Sequence, residues 1–245
     1  MARLHLCLGA KGGIGKSFVA ALMAQYLTDS RPEKPPICVD LDFKTQTFAK
    51  YRGLEVKLLD VETDGEVDRN KFDVLVERIA AADPDDVFVI DSGGNIYLTL
   101  MNYFKVNDVA NMILDMGNEL LLHVPVMGGQ ELDETLETLR EVVAETPPAA
   151  LVAVWINQFN GLVEKNGKNF EQSDTYAEAK HRIRTITYIP RWRSDMERDV
   201  SEMLKARVTF DVADRMPGFA IMERQRLRIA KRYLYAALDF SGVCL

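Results

Sequence analysis

Short apolar runs alternate with longer amphipathic stretches along the whole chain. Leu4 to Leu8 reads as a strand that runs into glycines, and Phe18 to Leu27 follows with helical spacing. Ile37 to Asp40 is a second strand, set off by Pro35 and Pro36. Phe72, Leu75, Val76 and Ile79 recur at i, i+3, i+4 and i+7, the period of an amphipathic helix. Val87 to Ile90 is a buried strand that ends on Asp91, and Leu120 to Val126 is another. Leu132, Leu136 and Leu139 line a helix, Leu151 to Ile156 and Thr185 to Ile189 read as the last strands, and helical patterns fill 194–206 and 219–238. Tyr51 to Arg69 has no clear period, and Asn160 to Gln172 reads as a long polar surface loop of the kind that meets partners.

Strand alternating with helix predicts an α/β fold with a mainly parallel sheet, because parallel neighbours need a crossover that places helices on both faces. No linker, repeat or low-complexity stretch interrupts the pattern, so residues 1–245 are expected to form one domain.

Composition narrows the class. With 47% hydrophobic and 27% charged residues the chain is neither disordered nor collagen-like. Cys7, Cys38 and Cys244 are too far apart for a disulfide framework or a metal-ligand pattern, and they fit a reducing cytoplasm. No run of about 18 apolar residues is present, so membrane insertion is not expected. The net charge is −7, but residues 181–245 carry 13 basic and 8 acidic residues, leaving 17 basic and 29 acidic before them. An acidic body therefore ends in a basic region. In the last helix Arg224, Arg226, Arg228, Lys231 and Arg232 either form a solvated face or meet phosphates of DNA without sequence preference. Ile221, Leu227, Leu234 and Leu238 would pack that helix on the body. His5 and His123 lie in apolar runs and read as satisfied core residues.

The chemistry starts where the first strand ends, in Gly9-Ala10-Lys11-Gly12-Gly13-Ile14-Gly15-Lys16-Ser17-Phe18. A phosphate-binding loop needs glycines so that backbone N–H groups can turn inward around phosphate, a helix N-terminus behind them, a lysine as point charge and a hydroxyl for Mg²⁺. Ala10 stands where the strict pattern has its first glycine, but the physical requirements are met. Lys16 is the point charge and Ser17 the Mg²⁺ ligand. Asp40 and Asp42 follow the second strand, and Asp91 ends an apolar strand as a Mg²⁺-holding acid does.

Lys11 is not needed to cradle phosphate within one chain. The run Lys-Gly-Gly-x-Gly-Lys-Ser resembles the deviant Walker A ATPases of the ParA/MinD group. That resemblance implies a P-loop NTPase fold, ATP and Mg²⁺, and a homodimer in which Lys11 reaches the nucleotide of the other subunit. It implies that Asp40 helps hold the Mg²⁺ shell and that Asp42 orients the attacking water. It implies further that Gly93 lies close to the γ-phosphate, that Asn157 hydrogen-bonds adenine, and that Pro190 packs near the base. Phe43 and Lys44 depart from the Pro and Gln usual in this switch. Several segments are similar to the TraL/MobD-type ATPases of plasmid conjugation, among them Gly128-Gly129-Gln130, Val154 to Asn157, Gly167 to Gln172 and Ile221 to Leu227. That branch implies a role in plasmid transfer beside a relaxase and its accessory proteins. A partition ATPase binding nucleoid DNA, a MinD-like membrane-associated ATPase and a small-molecule kinase are the competing expectations; Lys11 and the two-Asp switch speak against the last.

Overall fold

The computed structural model describes residues 1–63 and 66–244. Seven strands form one parallel sheet: β1 (Arg3–Cys7), β2 (Ile37–Asp40), β3 (Val56–Leu58), β4 (Val87–Asp91), β5 (Glu119–Met127), β6 (Leu151–Asn157) and β7 (Ile183–Ile189). Their order across the sheet is β7-β6-β5-β1-β4-β2-β3. The chain leaves β1 first toward one edge and later toward the other, so the crevice at the carboxyl end of β1 is the topological switch point, where α/β sheets bind ligands.

The helices are α1 (Lys16–Ser30), α2 (Asp73–Ala80), α3 (Tyr97–Val106), α4 (Val109–Asp115), α5 (Leu132–Glu145), α6 (Asp174–Ala179), α7 (Ser194–Ala206), α8 (Phe210–Arg215) and α9 (Ile221–Ser241). Two apolar clusters separate the faces of the sheet. Leu4 and Leu6 of β1 point into one, built with α2 to α5. Cys7 points into the other, with α1, α7, α8 and α9. Helix α1 is enclosed almost all round, which is why Val19 to Leu27 lacks a polar stripe.

Two buried polar arrangements hold the interior. Arg182 is 4% exposed and binds the end of α5 and the start of β6. Its Nη1 donates to the carbonyls of Val143 and Thr146, both at 3.0 Å, and its Nε and Nη2 reach Ala150 O at 3.2 and 2.6 Å. The last carbonyls of a helix have no intrahelical donor, and a guanidinium fork supplies several at once. Across β1, β5 and β6, Trp155 Nε1 donates to His123 Nδ1 at 2.9 Å, and His123 Nε2 lies 3.0 Å from His5 Nδ1. Since His123 Nδ1 accepts, its proton sits on Nε2, which donates to His5; His5 then keeps its own proton on Nε2. That last atom is buried without a partner, so His5 is the less satisfied of the two histidines.

Differences from the sequence reading have local causes. Within 51–69 the chain forms β3, an edge strand of three residues, and a small ribbon of Glu62–Thr63 with Glu66–Val67. Within the loop at 160–172, Glu164–Lys165 pairs with Lys168–Asn169 through Asn166 and Gly167, which sit at φ 54° and 74° as a tight hairpin turn requires. Leu227, Leu234 and Leu238 are buried, but Ile221 is 82% exposed because it opens α9 before the helix meets the body.

Candidate functional site

Gly13 and Gly15 adopt φ of 81° and 103°, a left-handed backbone that turns the loop back over the start of α1. Beside Gly12 and Gly13 the space where a side chain would stand is open. Among the described residues no side chain caps α1 at Gly15, and its first turn holds no acid. Free helix N–H groups behind an open glycine loop make an anion cradle. Lys16 is 5% exposed, and its ammonium folds over the loop to donate to Lys11 O at 2.5 Å. Burial lowers its pKa, opposed by the charges of Asp91 and Asp42.

The carboxylates come from neighbouring strands. Asp40 and Asp91 are register partners at the ends of β2 and β4, and both are fully buried. Asp40 accepts from the backbone N–H of Asp42 and of Ala49, each at 2.8 Å. Burial, then the charge of Asp91, pushes its pKa up to about 7. Asp91 has no hydrogen-bond partner on either oxygen among the described residues. Burial raises its pKa too, with the Ser17 hydroxyl and the Lys16 ammonium working the other way.

Asp42 Oδ1 accepts from the N–H groups of Lys44 and Thr45 at 3.2 and 3.0 Å, which fixes the turn after β2. The loop after β4 closes on it. Gly93 has φ 66°, and a Cβ there would stand 2.6 Å from Asp42 Cβ; one on Gly94 would stand 2.9 Å from Ala10 O. Lys16, Ser17, Asp40, Asp42, Asp91 and Gly93 thus converge at the carboxyl end of β1.

Asn157 ends β6, and its amide donates to Ile14 O at 3.1 Å while its oxygen accepts from Phe159 N at 3.1 Å. It ties the loop after β6 to the phosphate loop. Pro190 is half-buried just after β7, at the same end of the sheet. Lys11 is ion-paired to Glu134 at 2.8 Å and Glu131 at 3.0 Å, which raises its pKa to about 12. Sequence reading missed these two glutamates; their i, i+3 spacing at the head of α5 was the available signal.

The oxygen donors fit Mg²⁺, a hard ion that takes one or two carboxylates with water and phosphate oxygens. Asp91, with two partnerless buried oxygens, is the strongest such donor, beside Asp40 and the Ser17 hydroxyl. No group of three or more His, Cys, Asp or Glu that would cage a metal by itself occurs among the described residues.

The basic side chains of α9 do not form an open stripe. Arg226 is ion-paired to buried Asp199, Arg228 binds Asp214 through two nitrogens at 2.7 and 2.9 Å, and Lys231 bridges Asp29 and Asp211 at 2.8 and 2.7 Å. Arg224 donates to the carbonyls of Phe219 and Met216. Arg232 is exposed.

A parallel sheet whose central strand feeds a glycine loop and a helix N-terminus, with the next two strands on one side ending in buried acids, is the fold of the P-loop NTPases. The chain belongs to the TraL family. It is 40% identical over 244 residues to Protein TraL of Escherichia coli, covering 99% of this chain and all of that protein. A second Protein TraL of Escherichia coli is 38% identical over the same span. No protein-family model matches the chain. Among solved structures it is similar to a MinC:MinD cell division protein complex of Aquifex aeolicus, at 15% identity, TM-score 0.46 and 96% of each chain. It is also similar to a nucleotide-binding protein in complex with ADP from Archaeoglobus fulgidus, at 19% identity, TM-score 0.43, over 84% of this chain and 87% of that one.

Proposed function

We propose that this chain is a Mg²⁺-dependent ATP-binding and ATP-hydrolysing protein of the deviant Walker A type, one domain over 1–245, acting in the cytoplasm in plasmid conjugal transfer. The observation that carries the reading is Asp91: a carboxylate buried without a partner, beside Lys16 and Ser17 and under an open glycine loop. An isolated buried charge is strongly unfavourable unless a ligand completes its surroundings.

In this reading Gly12, Gly13, Ile14, Gly15 and Phe18 offer backbone N–H groups to phosphate, and Lys16 places its ammonium on the β- and γ-phosphates. Ser17, Asp40 and Asp91 hold the metal, which would neutralise charge on the phosphate oxygens. Asp42, fixed by the turn after β2, orients the attacking water, and Gly93 leaves room for the γ-phosphate against it. Asn157 and Pro190 face the base. Lys11 reaches the nucleotide of a second copy across a two-fold axis, so ATP binding and dimerisation are linked. A relaxase and its accessory proteins are the partners that this reading expects.

The competing readings find less to stand on. Non-specific DNA binding needs free cations, and three of the five on α9 are matched by acids of the same chain. Membrane association through α9 needs its apolar face exposed, and Leu227, Leu234 and Leu238 of that face are buried against the body.

Calorimetry and turnover test the assignment together. Lys16→Ala should lose ATP affinity by one to two orders of magnitude. Asp42→Ala should keep affinity and lose turnover by roughly 10²-fold or more, as removal of a water-positioning group does. Wild-type affinity in the first variant, or wild-type turnover in the second, would refute the corresponding role.

A further inference from the structure

Lys11 meets two acids where one would neutralise it. Its ammonium lies 2.8 Å from Glu134 Oε2 and 3.0 Å from Glu131 Oε2. The acids are three residues apart, Glu131 at the N-cap and Glu134 in the first turn of α5, a spacing that brings them to one face. That turn is fixed: Thr135 Oγ1 donates to Glu131 O at 3.0 Å, and Thr138 Oγ1 to Glu134 O at 3.0 Å. The loop before it is pinned as well. A Cβ on Gly128 would stand 2.2 Å from Gly161 O, and Gly129 sits at φ 82° against Asn160. Residues 160 and 161 belong to the loop that begins at Asn157, whose amide holds Ile14 O of the phosphate loop. The acid pair and the loop bearing Lys11 are therefore held to one another through glycine backbone packing and the Asn157 amide, besides the ion pairs themselves.

This arrangement sets up a competition. One ammonium between two carboxylates leaves a net negative charge beside a loop that must accept a highly charged anion. If Lys11 moves to phosphate, both glutamates lose their counter-ion. We propose that Glu131 and Glu134 latch Lys11 and so set the ATP concentration at which two copies pair, the acids acting on the nucleotide only through Lys11. The inference rests on the reading of Lys11 as the residue that reaches the second copy's nucleotide. It differs from that reading in assigning Glu131 and Glu134 an opposing role: they hold the dimer back.

The test is a titration of the full chain with a non-hydrolysable ATP analogue and Mg²⁺, followed by light scattering. The variants are Glu131→Gln/Glu134→Gln, Glu134→Gln alone and Lys11→Ala. Two partly exposed ion pairs released per copy should lower the midpoint of the double variant roughly 3- to 30-fold, and that of the single variant by less. Raised salt should narrow the gap between the wild-type and double-variant midpoints, because screening weakens the latch that separates them. A wild-type chain that stays monomeric at saturating analogue defeats the reading of Lys11 itself. A wild-type chain that dimerises, with equal or higher midpoints in both glutamine variants, overturns the latch alone. The single variant keeps one acid, so it decides the matter if the double variant does not fold. Acylation of Lys11 in the nucleotide-free chain, read by mass spectrometry, adds a readout independent of dimerisation. It should be faster in the glutamine variants, and an unchanged rate counts against the latch.

Discussion

The two ends of the same sheet treat buried charge in opposite ways. At the amino end Arg182 is enclosed, and its guanidinium meets the carbonyls of Val143, Thr146 and Ala150 and the Thr146 hydroxyl. At the carboxyl end Asp91 is equally enclosed, with neither oxygen matched among the described residues, and its register partner Asp40 is another acid. Both groups bear a desolvation penalty, the smaller one falling on the delocalised guanidinium. One is met by the chain's own backbone, and its role is to hold the end of α5. The other has neither oxygen in a hydrogen bond among the described residues and only the Ser17 hydroxyl and the Lys16 ammonium nearby, which is the arrangement expected of a position that a cation and phosphate complete. Burial alone therefore does not mark a functional group in this molecule; a buried carboxylate with neither oxygen in a hydrogen bond does.

The contrast predicts opposite signs. Arg182→Ala should lower the unfolding free energy by about 3–5 kcal/mol, because it strands several buried carbonyls at once. Urea unfolding measures it, and a loss under about 1 kcal/mol would mean that the carbonyls find water instead. Asp91→Asn should raise the stability of the nucleotide-free chain by about 1–2 kcal/mol, since a neutral amide removes one of two adjacent buried acids. The same variant should lose the thermal shift that Mg²⁺-ATP gives wild type. Destabilisation of the nucleotide-free variant would show that the charge is matched in solution and that the two ends are alike.

The histidine relay lies between these extremes, and pH reads it. Burial, with Arg3 adding, lowers the His5 pKa to about 3, and burial lowers that of His123 as well. Both are neutral when folded and titrate near 6.5 when unfolded. Below pH 6.5 the unfolded chain binds more protons, so stability is present above that pH and is lost as pH falls toward 3. His5 alone should account for about 1.5 kcal/mol between pH 6.5 and 5. Urea midpoints of His5→Leu across that range should fall less steeply than those of wild type, and parallel slopes would show that the relay carries a proton in the folded state.

Residues close in sequence were the legible ones. The phosphate loop lies within nine residues and its glycines announce a turn, while the apolar runs of β1, β4, β5 and β6 mark strands buried on both faces. Strand β3 was hidden because Val56-Lys57-Leu58 lies at the sheet edge, half-buried to exposed, and lacks an apolar run. Helix α3 has no reading in the sequence pattern, because Leu98 is exposed among the buried Tyr97, Leu100, Met101, Tyr103 and Phe104 and blurs the helical period. What joins Lys11 to Glu134 across 123 residues, or Arg182 to the end of α5, is tertiary packing, and no local pattern announces it.

The basic face of α9 shows the same limit and yields the smallest effect. Five cations on one helix suggest a phosphate-binding stripe, but their neutralisation comes from α1, α7 and α8. Arg228 is exposed and held by Asp214, and Lys231 is half-buried and held by Asp211 and Asp29. Exposed pairs of this kind contribute little, so Asp211→Asn/Asp214→Asn should lower stability by less than about 1 kcal/mol each. Their charge effect is larger than their stability effect, because each substitution frees cationic charge toward solvent. If the acids are what keep this helix from DNA, the double variant should bind a random duplex more tightly than wild type at low salt. The log–log salt slope should steepen by roughly one, for Arg228, since Lys231 keeps its pair with Asp29. Filter binding across a salt series gives both quantities. Equal slopes and affinities would mean that freeing these side chains creates no phosphate-binding surface, and the helix would then be a packing element whose cations serve only to tie α1, α7 and α8 together.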